Sequence, residues 1–173
     1  MIYIIPAYKE TINDEGYREL VRRLKKIDKV KFLNLQIEGN SIQELCVKTI
    51  KRNNFNPQDI IVGFSMGGLI AYCLAELYPF KKLICNSLSP CLGGDLKKMR
   101  GWKNLGLPVE EMNKMQYVES LAKKTFFIIG KKENKVLIER SKKLAKLNKG
   151  RLIVANAGHR IYIEEIIKEL EKT

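Results

Sequence analysis

Residues 60–68 read Ile-Ile-Val-Gly-Phe-Ser-Met-Gly-Gly. An apolar, β-type run ends at Gly63, Ser65 follows, and a helical pattern begins at Leu69. Gly-x-Ser-x-Gly between a strand and a helix is the pattern of a sharp turn that holds a serine hydroxyl exposed on a strained backbone. Gly63 and Gly67 suit such a turn, because a side chain at either position would crowd it. Two other readings are an idle serine in a glycine-rich connection and a phosphate-binding turn. The phosphate reading is weak, since neither Gly-x-x-x-x-Gly-Lys-Ser/Thr nor Gly-x-Gly-x-x-Gly is present.

A serine hydroxyl is a poor nucleophile until a base takes its proton, and an imidazole titrates in the right range. The chain holds one histidine, His159, in Asn156-Ala157-Gly158-His159 between the last strand-like and the last helix-like segment. The base in turn needs an acid to fix its tautomer and stabilise the imidazolium. Glu133 is the candidate, in Gly130-Lys131-Lys132-Glu133-Asn134-Lys135-Val136 after the fifth strand-like segment; Asp95, beyond the fourth, is its rival. Lys131, Lys132 and Lys135 would favour an ionised Glu133 if they stay near it. The bland alternative is a solvated charge cluster at a helix start. A tetrahedral oxyanion would take one backbone N–H from Met66 and a second from the turn Pro6-Ala7-Tyr8. Pro6 has no N–H to give, so Tyr8 is preferred, with Ala7 next.

These residues must be positioned by the elements around them. Ile2–Ile5 is a short apolar strand stopped by Pro6. Tyr17, Leu20, Val21, Leu24 and Ile27 recur at helical spacing behind a cap at Asn13 or Asp14. Val30–Ile37 reads as the second strand, and Ser41-Ile42-Gln43-Glu44 has the capping-box form ahead of a second helix. Ile60–Phe64 is continuously apolar, as expected when both sheet faces are covered. A helix through Leu69 and Leu77 ends at Pro79. Strands follow at Leu83–Asn86, Thr125–Ile129 and Leu152–Ala155, with helices at about 136–147 and 161–170. Asn148-Lys149-Gly150 offers a glycine to close the first of these helices. Alternating β and α elements imply an α/β three-layer sandwich: a mainly parallel six-stranded sheet with helices on both faces. Ligands bind such sheets at the carboxyl ends of the strands, where Ser65, Glu133 and His159 all fall.

At 173 residues the chain reads as a single domain, 1–173. Residues 89–124 interrupt the alternation. They form either a short cap, with Met99 and Trp102 contacting substrate, or an irregular connection that these side chains merely pack. Cys46, Cys73, Cys85 and Cys91 include no Cys-x-x-Cys pair, so reduced thiols are expected and no metal or cofactor site is. No apolar run approaches a membrane span, and the N-terminus lacks the features of a signal peptide, so a cytoplasmic protein is expected. Net charge is +13, from 32 Lys and Arg against 19 Asp and Glu. That attracts polyanions. The lysines are scattered, however, with no basic run interleaved with aromatics, so no dedicated nucleic-acid site is expected.

The order Ser65, Glu133, His159, each after a strand, resembles the α/β-hydrolase superfamily along nearly the whole chain. The resemblance rests on the Gly63-Phe64-Ser65-Met66-Gly67-Gly68 elbow, the Gly130-x-x-Glu133-x-x-Val136 acid turn and the Gly158-His159 turn. It implies a reduced α/β-hydrolase fold and a cofactor-free carboxylic ester hydrolase with a Ser-His-Glu triad. There are departures. Two strands that usually precede the Ile2–Ile5 equivalent are missing, and Pro6-Ala7 stands where the family has His-Gly. The acid is glutamate where aspartate is commoner, and the large cap is reduced to 89–124. Some of the most compact members are small esterases, and some are demethylating esterases of carrier-bound acyl chains in biotin synthesis. The expected partners are therefore a small acyl ester, or one presented by an acidic acyl carrier protein. The sheet edge left by the missing strands makes a homodimer a further expectation. Two other function classes stay open: an inactive binding module on the same fold, and a basic polyanion-binding protein.

Overall fold

In the structure, a computed structural model that describes residues 1–88, 107–116 and 118–172, the apolar runs assemble into one sheet. The strands are β1 (Ile2–Ile5), β2 (Val30–Phe32), β3 (Ile60–Phe64), β4 (Lys82–Asn86), β5 (Lys124–Gly130) and β6 (Arg151–Ala155). They lie in the order β2-β1-β3-β4-β5-β6, and every pairing is parallel. Among the described residues, five helices lie between the strands, α1 (Glu15–Leu24), α2 (Ile42–Asn53), α3 (Met66–Leu77), α4 (Val109–Lys114) and α5 (Lys135–Leu147), and α6 (Ile163–Glu171) follows the last.

The period-two alternation of side chains divides the core into two layers. Tyr3, Ile5, Ile61, Leu83, Cys85 and Phe127 point to one face, where they meet the buried sides of α2, α3 and α5. Ile2, Ile4, Val62, Phe64, Ile84, Phe126 and Ile128 point to the other, against α1 and α6. The expected three-layer sandwich is what these two clusters build. α3 is buried from Met66 through Ala75 because it lies over the middle of the sheet. The more amphipathic α1 and α6 cover the opposite face and pack against each other.

Several local readings need correction. The second strand pairs only over Val30–Phe32, not to Ile37. The Leu33 N–H still reaches the Ile4 carbonyl at 2.8 Å, but Leu33 and Ile37 then turn inward and bury against the α2–α3 layer. Glu44 does not complete the capping box. Ser41 Oγ accepts the Glu44 N–H, whereas Glu111 on α4 accepts the Ile42 and Gln43 amides and the Ser41 hydroxyl. That contact ties α4 to the start of α2, and Met112 is fully buried in the same layer. The left-handed residue after α5 is Lys149, not Gly150. Gly150 is required instead by proximity, since a Cβ there would run into Thr125. Cys46, Cys73 and Cys85 are buried free thiols, while Cys91 lies outside the described residues. Among the described residues, no helix is long and apolar enough to cross a membrane.

A close backbone contact joins the end of β1 to the start of α3, and a second joins β3 to the same helix. A Cβ on Gly67 would approach the Ile5 and Pro6 carbonyl oxygens closer than 3.0 Å, and one on Gly63 would do the same to the Gly67 carbonyl. These neighbours are backbone and cannot swing aside. Gly67→Ala is therefore expected to cost about 3 kcal/mol or more, lowering the melting temperature by roughly 6–12 °C in a chain of this size. A Cβ on Gly158 meets nothing within 4 Å. Gly158→Ala should stay within about 0.5 kcal/mol of wild type. Thermal denaturation followed by circular dichroism compares the two directly.

Candidate functional site

Ser65 sits between β3 and α3 at φ 52°, ψ −115°. Such a conformation costs a non-glycine residue about 1–3 kcal/mol and persists only where the surroundings enforce it. Here they do. The Ser65 N–H donates to the Asn86 carbonyl at 2.9 Å, continuing the β3–β4 ladder, and the Ser65 carbonyl accepts the Leu69 N–H at 3.2 Å, starting α3. Held from both sides, the residue turns its side chain out of the layer, and it is half-buried where its neighbours are fully buried. Met66 is the first residue of α3, whose leading N–H groups have no acceptor within the helix. The positive end of the helix dipole therefore lies beside the hydroxyl.

Glu133 and His159 come together from the ends of β5 and β6. Glu133 Oε2 lies 2.8 Å from His159 Nδ1. Its other oxygen, Oε1, accepts the Ser87 hydroxyl at 2.7 Å and the Gly130 N–H at 2.9 Å. The Glu133 side chain is fully buried, and the His159 side chain is 45% exposed. Burial pushes the Glu133 carboxyl up, but the His159 ring, the Gly130 amide and the Ser87 hydroxyl together outweigh it and hold it below the usual value. The expectation that Lys131, Lys132 and Lys135 would do this is corrected. All three are exposed, and the stabilising groups are those that touch the carboxylate.

Sequence reasoning missed the residues that aim this pair. Asn86 ends β4 and Ser87 follows it, and both are fully buried. Asn86 Oδ1 accepts the Tyr162 N–H at 2.7 Å, and Asn86 Nδ2 donates to the Arg160 carbonyl at 3.0 Å and to Ser87 Oγ at 2.9 Å. One asparagine thus brackets the histidine loop and orients the serine that holds Glu133. Ser87 is left-handed at φ 49°, a second strained residue at a strand end. The Tyr162 hydroxyl donates to the Gly158 carbonyl. The Phe64 ring, next to Ser65 in sequence, lies 5.1 Å from the His159 ring at a tilt of 33°. The available signal was the polar pair Asn86-Ser87 closing an otherwise apolar strand.

Ser65, Met66 and His159 share one cleft of about 540 Å³, walled by Ala7, Tyr8, Phe64, Leu107 and Ile161, with Glu10, Asp14 and Arg160 also on it. No hydrogen bond joins the Ser65 hydroxyl to the imidazole. In ligand-free sites such bonds are often long and tighten on substrate binding. Both expected oxyanion contributors, Met66 and Tyr8, line the cleft. Ala7, the second choice, is removed: its N–H donates to the Tyr17 hydroxyl at 2.8 Å. Asp95, Met99 and Trp102 lie outside the described residues. Among the described residues, no group of three or more His, Cys, Asp or Glu could hold a metal ion.

The lowered Glu133 value has a direct consequence for stability. A carboxyl depressed in the folded state contributes stability above its ordinary value near pH 4.3, and that contribution fades as pH falls through the folded value. Glu133→Gln should lose about 1.5–3 kcal/mol at pH 7, the range for hydrogen bonds to a charged group. The gap to wild type should narrow steadily below about pH 4.3. Urea titrations of both proteins at pH 7 and at several values below pH 4.5 measure that gap; a gap independent of pH contradicts the assignment.

No family model matches the chain, and no curated protein matches it. Solved structures do. Est1E from Butyrivibrio proteoclasticus aligns with TM-score 0.72 at 17% identity, over 99% of this chain and 85% of that one. Mouse alpha/beta hydrolase domain-containing protein 10 aligns with TM-score 0.75 at 15% identity, over 98% and 87%. The ydeN gene product of B. subtilis aligns with TM-score 0.73 at 15% identity, over 99% and 98%, so a solved chain of nearly the same extent exists. At these identities the likeness is one of backbone alone: the chain has the α/β-hydrolase fold.

Proposed function

We propose that the chain is a serine hydrolase that cleaves carboxylic esters or thioesters through an acyl-Ser65 intermediate. The observation that carries the proposal is the pairing of a strained serine with a carboxylate-anchored imidazole on one cleft. Ser65 Oγ attacks the substrate carbonyl carbon while His159 Nε2 takes the hydroxyl proton. Glu133 at Nδ1 keeps the imidazole in the tautomer that presents Nε2, and it stabilises the imidazolium. The Met66 and Tyr8 amides receive the oxyanion. The tetrahedral adduct collapses as His159 returns the proton to the leaving alcohol or thiol. Water, deprotonated by the same ring, then attacks the acyl-serine and releases the acid. The cleft's apolar walls, Phe64, Leu107 and Ile161, suit an acyl or aryl group.

A carrier-presented acyl chain is the narrower version of this reading. The +13 net charge and Arg160 on the cleft support it, whereas Glu10 and Asp14 on the same wall oppose an acidic partner. Free small esters therefore fit the cleft better. Ferulic acid is bound to Est1E in one of its structures, which makes a feruloyl ester a sensible member of a substrate panel.

Ser65→Ala and His159→Ala should each lower kcat/KM on nitrophenyl acetate and butyrate by at least about 10³-fold. A fluorophosphonate should label wild type at Ser65, located by peptide mapping, and leave Ser65→Ala unlabelled. Wild-type turnover in either alanine variant ends the proposal. Ligand binding without any acylation of Ser65 would support an inactive binding module in its place.

A further inference from the structure

The turn that would supply the second oxyanion donor is held by a side chain that the triad does not include. Tyr17 on α1 is 1% exposed. Its hydroxyl accepts the Ala7 N–H at 2.8 Å and donates to Glu10 Oε2 at 2.7 Å. A phenol has one proton; giving it to Glu10 turns a lone pair toward Ala7. Burial, with the Glu10 carboxylate beside it, pushes the phenol well above its ordinary value, so the proton stays. Edge contacts from Phe32 at 5.3 Å and Phe64 at 6.4 Å hold the ring, and Phe64 directly precedes Ser65.

Glu10 closes the arrangement from the other side. Its own N–H donates to the Ala7 carbonyl at 3.1 Å. The Ala7–Tyr8 peptide is planar and trans, so a fixed Ala7 carbonyl fixes the Tyr8 N–H in the opposite direction. Within this ring Lys9 adopts φ 63°, a left-handed conformation that a lysine takes only when neighbours impose it. The preceding Ile5 and Pro6 carbonyls are packed on Gly67. The turn is thus clamped at both ends: by the elbow glycine on one side and by the Tyr17–Glu10 pair on the other.

We propose that Tyr17, backed by Glu10, is a positioning residue that sets the Tyr8 amide for the tetrahedral oxyanion. This rests on the serine-hydrolase reading above. Tyr17 lines the cleft, but its hydroxyl bonds Ala7 and Glu10 and not Ser65 or His159, so it acts through the turn. Its loss should therefore weaken the transition state and leave substrate binding nearly intact.

The test is Tyr17→Phe, which removes one oxygen and keeps the ring. The expected result on nitrophenyl butyrate is a fall in kcat of about 10- to 100-fold with KM within about threefold. Affinity for a trifluoromethyl ketone, which forms a tetrahedral adduct on the serine, should fall in parallel with kcat. Glu10→Gln keeps an acceptor for the phenol and should retain most of the turnover. Glu10→Ala frees the hydroxyl and should lie between Glu10→Gln and Tyr17→Phe. If Tyr17→Phe does not fold, the Glu10 pair carries the test through the same kcat and ketone readouts. Turnover of Tyr17→Phe within threefold of wild type overturns the assignment. So does a loss of kcat without a matching loss of ketone affinity, or Glu10→Gln behaving as Glu10→Ala. Equal turnover by wild type and Ser65→Ala is a different failure: it overturns the hydrolase reading, and the positioning role falls with it.

Discussion

The backbone contact between the β1 turn and the start of α3 is the constraint on which the site depends. Gly67 lets the Ile5 and Pro6 carbonyls approach a helix more closely than any side chain permits. That approach places the β1 turn beside Ser65 and leaves the serine no conformation except the strained one. The strain is balanced by two ordinary backbone hydrogen bonds, to Asn86 and from Leu69. Nothing unusual in the side chains is needed to expose the hydroxyl. The geometry follows from two absent methyl groups.

Electrostatics then assign roles to the polar groups that gather there. Glu133 is buried, yet it stays ionised because three donors face it and together exceed its desolvation penalty. His159 is bound to Glu133 on one edge and is 45% exposed, which suits the proposed proton exchange with a ligand. Among the described residues that line the cleft, two carboxylates stand against one arginine, so these do not share the overall charge of +13. Local composition at the cleft, rather than the sum over the surface, is what a substrate meets.

The fold was legible because hydrophobic runs and turn residues repeat in register along the chain. Six short apolar segments became six strands, and the elbow was readable from Gly63, Ser65 and Gly67 alone. Errors arose where the deciding contact is distant in sequence. Val30–Ile37 is apolar enough for a strand, but β2 has a single partner, only four residues long, and pairing stops at Phe32. Glu44 sits at the capping-box position, yet Glu111, from another element, takes the amides. The lysines around Glu133 are its neighbours in the chain, while Ser87 and His159 are its neighbours in space. Asn86 and Ser87 escaped notice because their work is to join β4 to loops that follow much later in the chain. Tyr17 escaped because a tyrosine in an amphipathic helix reads as core, and it is core; only its oxygen does something else.

Gly67 also sets the terms on which such a scaffold can diversify. The elbow and the turn after β1 are fused into one rigid block, so neither can be remodelled without the other. New cleft shapes are therefore easier to write in side chains that merely border the block, such as Leu107 or Ile161. Part of the cleft's lining thus lies outside the block, and mutation can explore that part while the block stands still.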